Sequence, residues 1–293
     1  MPSSPVSPAA ALPGLCADRS EVVTSWFGHL EVVADHSWGL TGTRVLQLRL
    51  DDGTQVALKA FGPADHHFAR ELAAHEQLLG RLDGGRVPRL LHADRERRLL
   101  ATAWLPGVLV EGHRAERAAD TYAQAGGLLA RLHAGASRVD GDHEAAADAK
   151  ALGWLDGEHR IAADVEARLR AVIATHEHPP VRVVPTHGDF QPRNWVIGHD
   201  GLVRVIDFGR FAWRPPATDL ARLAAQQWIG RPDLAAAFVD GYGADPRGGP
   251  AWRRILVREA IGTAVWAHRV GDEAFEAQGH RMIAAALADA EAP

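Results

Sequence analysis

Residues 186–196, Thr-His-Gly-Asp-Phe-Gln-Pro-Arg-Asn-Trp-Val, and the Val-Ile-Asp-Phe-Gly that follows at 205–209 constrain this chain more than any other stretch. They set Asp189, Asn194 and Asp207 in the order and spacing of a loop that holds a hydroxyl, a nucleotide and magnesium together. Phosphoryl transfer leaves a protein little covalent chemistry, so it is catalysed by positioning groups and neutralising phosphate charge. Asp189 then orients the acceptor hydroxyl and takes its proton, while the amide oxygen of Asn194 and the carboxylate of Asp207 ligate magnesium. That ion prefers hard oxygen ligands and keeps several waters, so no Cys or His ligand is needed.

The surrounding residues supply the local structure. Residues 182–184 read as a strand entering the loop and 202–206 as a strand delivering Asp207, with a further extended run at 195–197 and a turn at 198–201. Taken singly, His-Gly-Asp is an ordinary polar turn and Asp207 a strand-end carboxylate. In this order and setting they form one catalytic constellation.

With those residues in place, the chain resembles the aminoglycoside phosphotransferase and choline kinase-like family, relatives of the protein kinases, over most of its length after about residue 25. The family has His-Gly-Asp where protein kinases usually have His-Arg-Asp, and Gly188 stands here. Thr218-Asp219-Leu220-Ala221 follows Gly209 with no room for an activation segment and no Ala-Pro-Glu, which argues against a protein substrate. The resemblance implies an α+β, bilobal protein kinase-like fold with an N-terminal antiparallel sheet lobe and a mainly helical C-terminal lobe. The expected organisation is a flexible leader over 1–20, a nucleotide-binding lobe and hinge over 21–104, and a catalytic and acceptor-binding lobe over 105–293.

The amino-terminal lobe can be followed residue by residue. Strands at 31–34 and 43–50 flank a loop containing Ser37, Gly39 and Gly42, where backbone can come close to phosphates. It is neither the full glycine-rich signature nor a Walker A loop, and a plain hairpin is the alternative. After a turn at 51–54, Lys59 sits in an alternating strand at 55–61, resembling the Val-Ala-Ile-Lys strand of kinases. A lysine there needs an anion. Glu71, in a helix over 64–82, is the expected partner, and Glu76 points to another face. A strand at 87–92 and another at 98–107 lead into the hinge, whose main chain at Thr102, Ala103 and Trp104 would meet the nucleotide base. Main-chain contacts leave ATP and GTP both open.

Beyond the hinge the chain turns helical. Apolar periodicity predicts a helix over 115–133, then a polar surface loop or insertion at 135–147 and a return to helix over 154–176. The Leu132-His133 pair resembles the family's helix ending and reads as packing. Thr218 or Asp219 would cap the next helix, and the resemblance implies that Asp219 also braces the catalytic loop. Two acceptor walls compete. Asp233, Asp240, Asp245, Glu259, Asp272 and Glu273 would hold a polycation, whereas Trp213, Trp228, Trp252 and Trp266 would stack a nucleoside, an aromatic antibiotic or a quaternary ammonium group.

Composition bounds the rest. With 293 residues, 46% of them hydrophobic and 24% charged, the chain can bury two sizeable cores. A net charge of -5 gives no basic footprint for nucleic acid. The single cysteine, Cys16, excludes an internal disulfide and fits a cytoplasmic setting. No secretory signal and no membrane-spanning segment is read, and the histidines at 66–67 and 176–178 read as surface residues without zinc-site spacing. The expected activity is a Mg2+-dependent transfer of the γ-phosphate of ATP (or GTP) to an alcohol. The first acceptor class is an antibiotic of aminoglycoside or nucleoside type, inactivated to confer resistance. The alternatives are a metabolic kinase for choline or a sugar, and a kinase-like binding protein without catalysis. The partners are then a nucleoside triphosphate and a small hydroxyl acceptor, with the oligomeric state open.

Overall fold

The computed structural model describes residues 12–38, 42–82 and 84–290. The chain forms two compact units, residues 1–108 with 204–210, and residues 109–203 with 211–293.

In its described residues the first unit is two α-helices and a five-stranded antiparallel sheet. Helix α1 (Ala17–Phe27) precedes strands β1 (Leu30–Asp35), β2 (Arg44–Leu50) and β3 (Gln55–Ala60), and α2 (His67–Gln77) leads to β4 (Leu90–Asp94) and β5 (Leu99–Ala103). The strand order is β1-β2-β3-β5-β4. Alternation in β3 sends Val56, Leu58 and Ala60 to one face, where they join Leu46, Leu48, Leu99, Ala101 and Val23 of α1. On the other face Leu100 packs with Phe61 and with Phe68 and Leu72 of α2. Lys59 is opposite Leu100 in the β3–β5 register, so it points to the α2 side. The expected leader over 1–20 is corrected in its described part. Leu12 and Leu15 are buried in the sheet core, the Leu12 N–H donates to Ser20 Oγ at 3.1 Å, and α1 starts at Ala17. Two leucines and a helix face worth burying outweigh the proline-rich composition.

Helix α2 is shorter than the expected 64–82. The Asp65 carboxylate accepts the His67 N–H at 2.8 Å and the Thr43 hydroxyl, which fixes the start, and Leu78, with φ -137, ends it before a 3-10 turn at Leu79–Arg81. Within α2, His75 is buried, and its ring is edge-on to Phe208 at 6.4 Å. Burial, aided by the Lys59 charge, brings its pKa down to about 4. The folded state therefore refuses a proton that the unfolded chain accepts near pH 6.5, so stability falls as pH drops from 6.5 toward 4. Between pH 7 and pH 5 this group should cost about 2 kcal/mol. Urea unfolding of the His75→Phe variant at the two pH values should show a smaller difference than the parent; an equal difference would remove His75 as the cause.

Along the rest of the chain come β6 (Val108–Leu109), α3 (Ala119–Ala134), β7 (Arg138–Asp140), α4 (His143–Leu155), α5 (Ala163–Ala174), β8 (Val181–Thr186), β9 (Trp195–Ile197), β10 (Val203–Val205), β11 (Ala212–Arg214), α6 (Ala221–Ala225), α7 (Pro232–Tyr242), α8 (Gly249–Val270) and α9 (Glu273–Ala290). In the second unit β8 pairs antiparallel with β7 and β11, which presents the end of β8 to the catalytic loop. Helices α3 and α7 pack so closely that a Cβ added at Gly126 would run into the Phe238 carbonyl, and one at Gly241 into the Ala123 carbonyl. Helices α4, α5, α8 and α9 enclose the other large core, around Leu155, Leu169, Ile173, Val257, Ile261 and Ile283.

Three expectations for this unit are corrected. The stretch 135–147 is not a loop, because it holds β7 and the first turns of α4. Glu144 within it is buried and accepts from Arg254 at 2.6 Å, and Asp148, one turn further along α4, accepts from Arg258 at 2.7 Å, so two carboxylates one turn apart meet two arginines one turn apart. The expected helix over 154–176 is two helices, α4 and α5, separated at 156–162. His176 is not a surface residue either: its Nδ1 lies 2.9 Å from Asp148, and His178 Nε2 lies 2.8 Å from the other carboxylate oxygen.

Candidate active site

Each unit carries its own set of the sequence-predicted residues. In the first, Lys59 Nζ donates to Glu71 Oε1 at 2.8 Å and Oε2 at 2.9 Å, and to Asp207 Oδ1 at 2.9 Å. The strand aims Lys59 at α2, and the α2 register brings Glu71, not Glu76, to it. Glu76 instead pairs with Arg95 at 2.6 Å. Burial alone would push the Lys59 ammonium down, but the Asp207 and Glu71 carboxylates outweigh it and hold its pKa well above the usual lysine range. Burial pushes Glu71 up to about 7 against the pull of Lys59. The result is a fixed cation with an exposed edge, suited to triphosphate oxygens. Asp207 itself has φ 64, the left-handed region that Asp tolerates better than most residues, and it is half exposed.

The remaining nucleotide candidates fare differently. Ser37 Oγ donates to Asp35 and accepts the Val45 N–H at 3.0 Å, so its hydroxyl tightens the β1–β2 connection. Gly39 lies outside the described residues. Thr102 is buried in β5. The Ala103 N–H donates to the Arg89 carbonyl at 2.8 Å and the Trp104 N–H to the Gln55 carbonyl at 3.1 Å. The sheet already uses these two amides. The Trp104 ring stacks on His36 with centroids 5.3 Å apart.

In the second unit the loop at 187–194 hangs from one buried carboxylate. Asp219 accepts the His187 N–H at 2.8 Å and the Gly188 N–H at 2.6 Å, and bonds His133 Nε2 at 3.0 Å. Burial alone would raise its pKa, but the His133 hydrogen bond and charge, with the loop contacts, hold it below the usual range. Gly188 has φ 81, a conformation that explains glycine in this motif. Asp219 thus braces the loop, as expected, but it does not cap α6, which has no side-chain cap. His133 does more than pack, since its Nδ1 also bonds Tyr242 Oη at 2.8 Å.

The braced loop presents Asp189, which is buried and ringed by donors. Its Oδ1 accepts from Gln191 Nε2 at 2.5 Å and Arg222 at 2.6 Å; its Oδ2 accepts from Arg193 at 2.7 Å and Asn194 Nδ2 at 3.0 Å. Asn194 Nδ2 also donates to the Asp189 carbonyl at 2.8 Å, which leaves its amide oxygen as the end turned away. Arg222, mostly enclosed in α6, also donates to Glu259 of α8 at 2.8 Å. Burial would lower its pKa, but Glu259 and Asp189 more than compensate and keep it charged. Arg193 and Arg222 were missed from the sequence. Arg193 lies inside the motif and only its position four residues after Asp189 marks it, while Arg222 is remote and carries no signal.

A sheet-based unit with a Lys–Glu pair and a helical unit with a braced Asp-and-Asn loop define a protein of protein kinase-like fold. The chain belongs to the phosphotransferase enzyme family, whose model matches residues 37–256. No curated protein matches it. Among solved structures it is similar to the choline kinase LicA from Streptococcus pneumoniae, with 16% identity over 93% of this chain and 98% of that one and a TM-score of 0.68. It is also similar to the aminoglycoside phosphotransferase APH(4)-Ia (14% identity, 94% and 99% covered, TM-score 0.69). A third is the macrolide 2'-phosphotransferase MphH from Brachybacterium faecium (23% identity, 94% and 98% covered, TM-score 0.60). At these identities the structural likeness shows the fold. APH(4)-Ia is known with ADP and hygromycin B.

Proposed function

We propose that the protein is a small-molecule O-phosphotransferase that moves the γ-phosphate of ATP or GTP to an alcohol. The observation that carries this reading is the Asp189 carboxylate, held by Arg222 and Asn194 on a loop braced by Asp219. In this reading Lys59, fixed by Glu71, holds nucleotide phosphates, and Asp189 orients the acceptor hydroxyl and takes its proton. The chemistry of the donors fits magnesium: Asn194 offers an amide oxygen and Asp207 a carboxylate, both hard ligands. Held by oxygens of this kind, the ion would neutralise phosphate charge. The proposed setting is the cytoplasm, where the nucleotide is available; among the described residues no helix is long and apolar enough to cross a membrane.

The acceptor is proposed to be a neutral, antibiotic-type alcohol rather than a polycationic aminoglycoside. Most of the acidic candidates are already engaged: Asp233 by Arg231, Asp245 by Arg247, Glu259 by Arg222, and Asp272 by the Phe275 N–H. A polycation would have to compete with arginines for the first three of these carboxylates. The tryptophans, already engaged, offer no open stacking wall to choline or to a nucleoside. Arg138 covers Trp213 at 4.7 Å and Arg247 covers Trp228 at 4.8 Å, while Trp252 packs with Ala217, Ala221 and Ile255, and Trp266 meets Phe275 edge-on. Mass spectrometry of nucleoside antibiotics, aminoglycosides, sugars and choline incubated with enzyme, Mg2+ and ATP or GTP tests the reading. The expected product is a neutral acceptor heavier by one phosphoryl group. Transfer to aminoglycosides or choline alone would overturn the acceptor assignment.

A further inference from the structure

Asp189 has more hydrogen-bond partners than a working base can keep. A carboxylate offers about four lone-pair positions, and donors from Gln191, Arg193, Asn194 and Arg222 already point at its two oxygens. An acceptor hydroxyl that gives its proton to Asp189 must first donate a hydrogen bond to it. One present donor has to leave.

The four donors differ in how firmly they are held. Gln191 and Asn194 are buried, and Asn194 is also tied to the Asp189 carbonyl. The Arg222 side chain is 13% exposed and anchored at its other end by Glu259. The Arg193 side chain is 35% exposed and reaches Asp189 from the 3-10 turn at Pro192–Asn194. Resting on the phosphotransferase reading, we propose that the two arginines divide the hold on Asp189. Arg222 is a positioning residue that fixes Oδ1. Arg193 occupies, on Oδ2, the place of the acceptor hydroxyl and yields it when the acceptor arrives. The displaced guanidinium stays at the mouth of the site, so an acceptor with a cationic group beside its reacting hydroxyl is disfavoured, and a neutral alcohol is not.

Two measurements test this without knowledge of the acceptor. The first is hydrolysis of MgATP and MgGTP with water as the only acceptor, alongside nucleotide binding by calorimetry. Removing a partly exposed ion pair changes an equilibrium by about two- to fivefold, so Arg193→Met should raise hydrolysis by about that factor with unchanged nucleotide Kd. Arg222→Met should lower hydrolysis at least tenfold, also with unchanged Kd, and Arg222→Lys should recover part of it. Unchanged or slower hydrolysis in Arg193→Met with normal nucleotide binding would overturn the proposal. The second is a pair of double-mutant cycles on the unfolding equilibrium, Arg193→Met and Arg222→Met each combined with Asp189→Asn. The proposal requires a coupling below about fivefold for Arg193 and above about tenfold for Arg222; equal couplings would overturn it. Failure of the parent to bind either nucleotide would sink the phosphotransferase reading, and the cycles would still decide whether Arg193 is the weakly held partner.

Discussion

Asp189→Ala should reduce phosphoryl transfer by about 10²- to 10⁴-fold, the range over which a positioned general base contributes, while nucleotide affinity stays within about threefold of the parent. The reason lies in how the residues are distributed. Lys59, Glu71 and Asp207 form one hydrogen-bonded set, and Asp189 belongs to another, held by Arg222, Arg193, Gln191 and Asn194. Alanine removes the proton acceptor and leaves the lysine set intact. It also deprives Arg222 of one carboxylate, so Asp189→Asn, which preserves the shape, is the necessary companion. Single-turnover transfer with calorimetric nucleotide binding checks both. Transfer within tenfold of the parent in either variant would remove Asp189 from its role.

Asp219→Ala should be the most damaging substitution in the fold. Asp219 is fully enclosed and satisfies two backbone N–H groups of the loop, at His187 and Gly188, together with the His133 ring. Its removal orphans all three inside the protein, at a cost of about 3–5 kcal/mol. It also frees Gly188 to leave its left-handed conformation, so transfer should fall with stability. Urea unfolding gives the first quantity and turnover at low temperature, where the variant remains folded, the second. Because Asp219 is held below the usual carboxylate range, its contribution is present above the unfolded pKa near 4 and fades as pH falls through the folded value. A variant as stable as the parent, or one that folds and turns over normally, would refute the bracing role.

How legible all this was depended on how local each interaction is. The motif at 186–196 could be read because Asp189 and Asn194 must share one short loop, and Asp207 had to follow a short strand. Glu71 could be chosen over Glu76 because helix geometry puts those two on different faces, and Glu71 is the one that meets Lys59. The family and the protein kinase-like fold followed from those few residues, and the family model and the structural likenesses bear them out. What stayed hidden was long-range or depended on pairing. Arg222 is 33 positions from Asp189, with nothing in the intervening residues to connect them. The stretch at 135–147 looked like a surface loop because Arg254 and Arg258, which pair with Glu144 and with the neighbouring Asp148, lie 110 positions away. That the carbonyls of Arg89 and Gln55 take the amides of Ala103 and Trp104 is likewise sheet pairing that sequence does not show. Leu12 and Leu15 were masked by the proline- and serine-rich residues that precede them.

The most direct test of the central claim is a ³¹P NMR time course of MgATP with the protein and a pool of neutral hydroxylated compounds, run beside the Asp189→Ala variant. The predicted result is a phosphomonoester signal that grows in step with ADP in the parent and is absent in the variant. Normal nucleotide binding with no phosphomonoester from any pool, or a signal that grows equally fast in the variant, would contradict it.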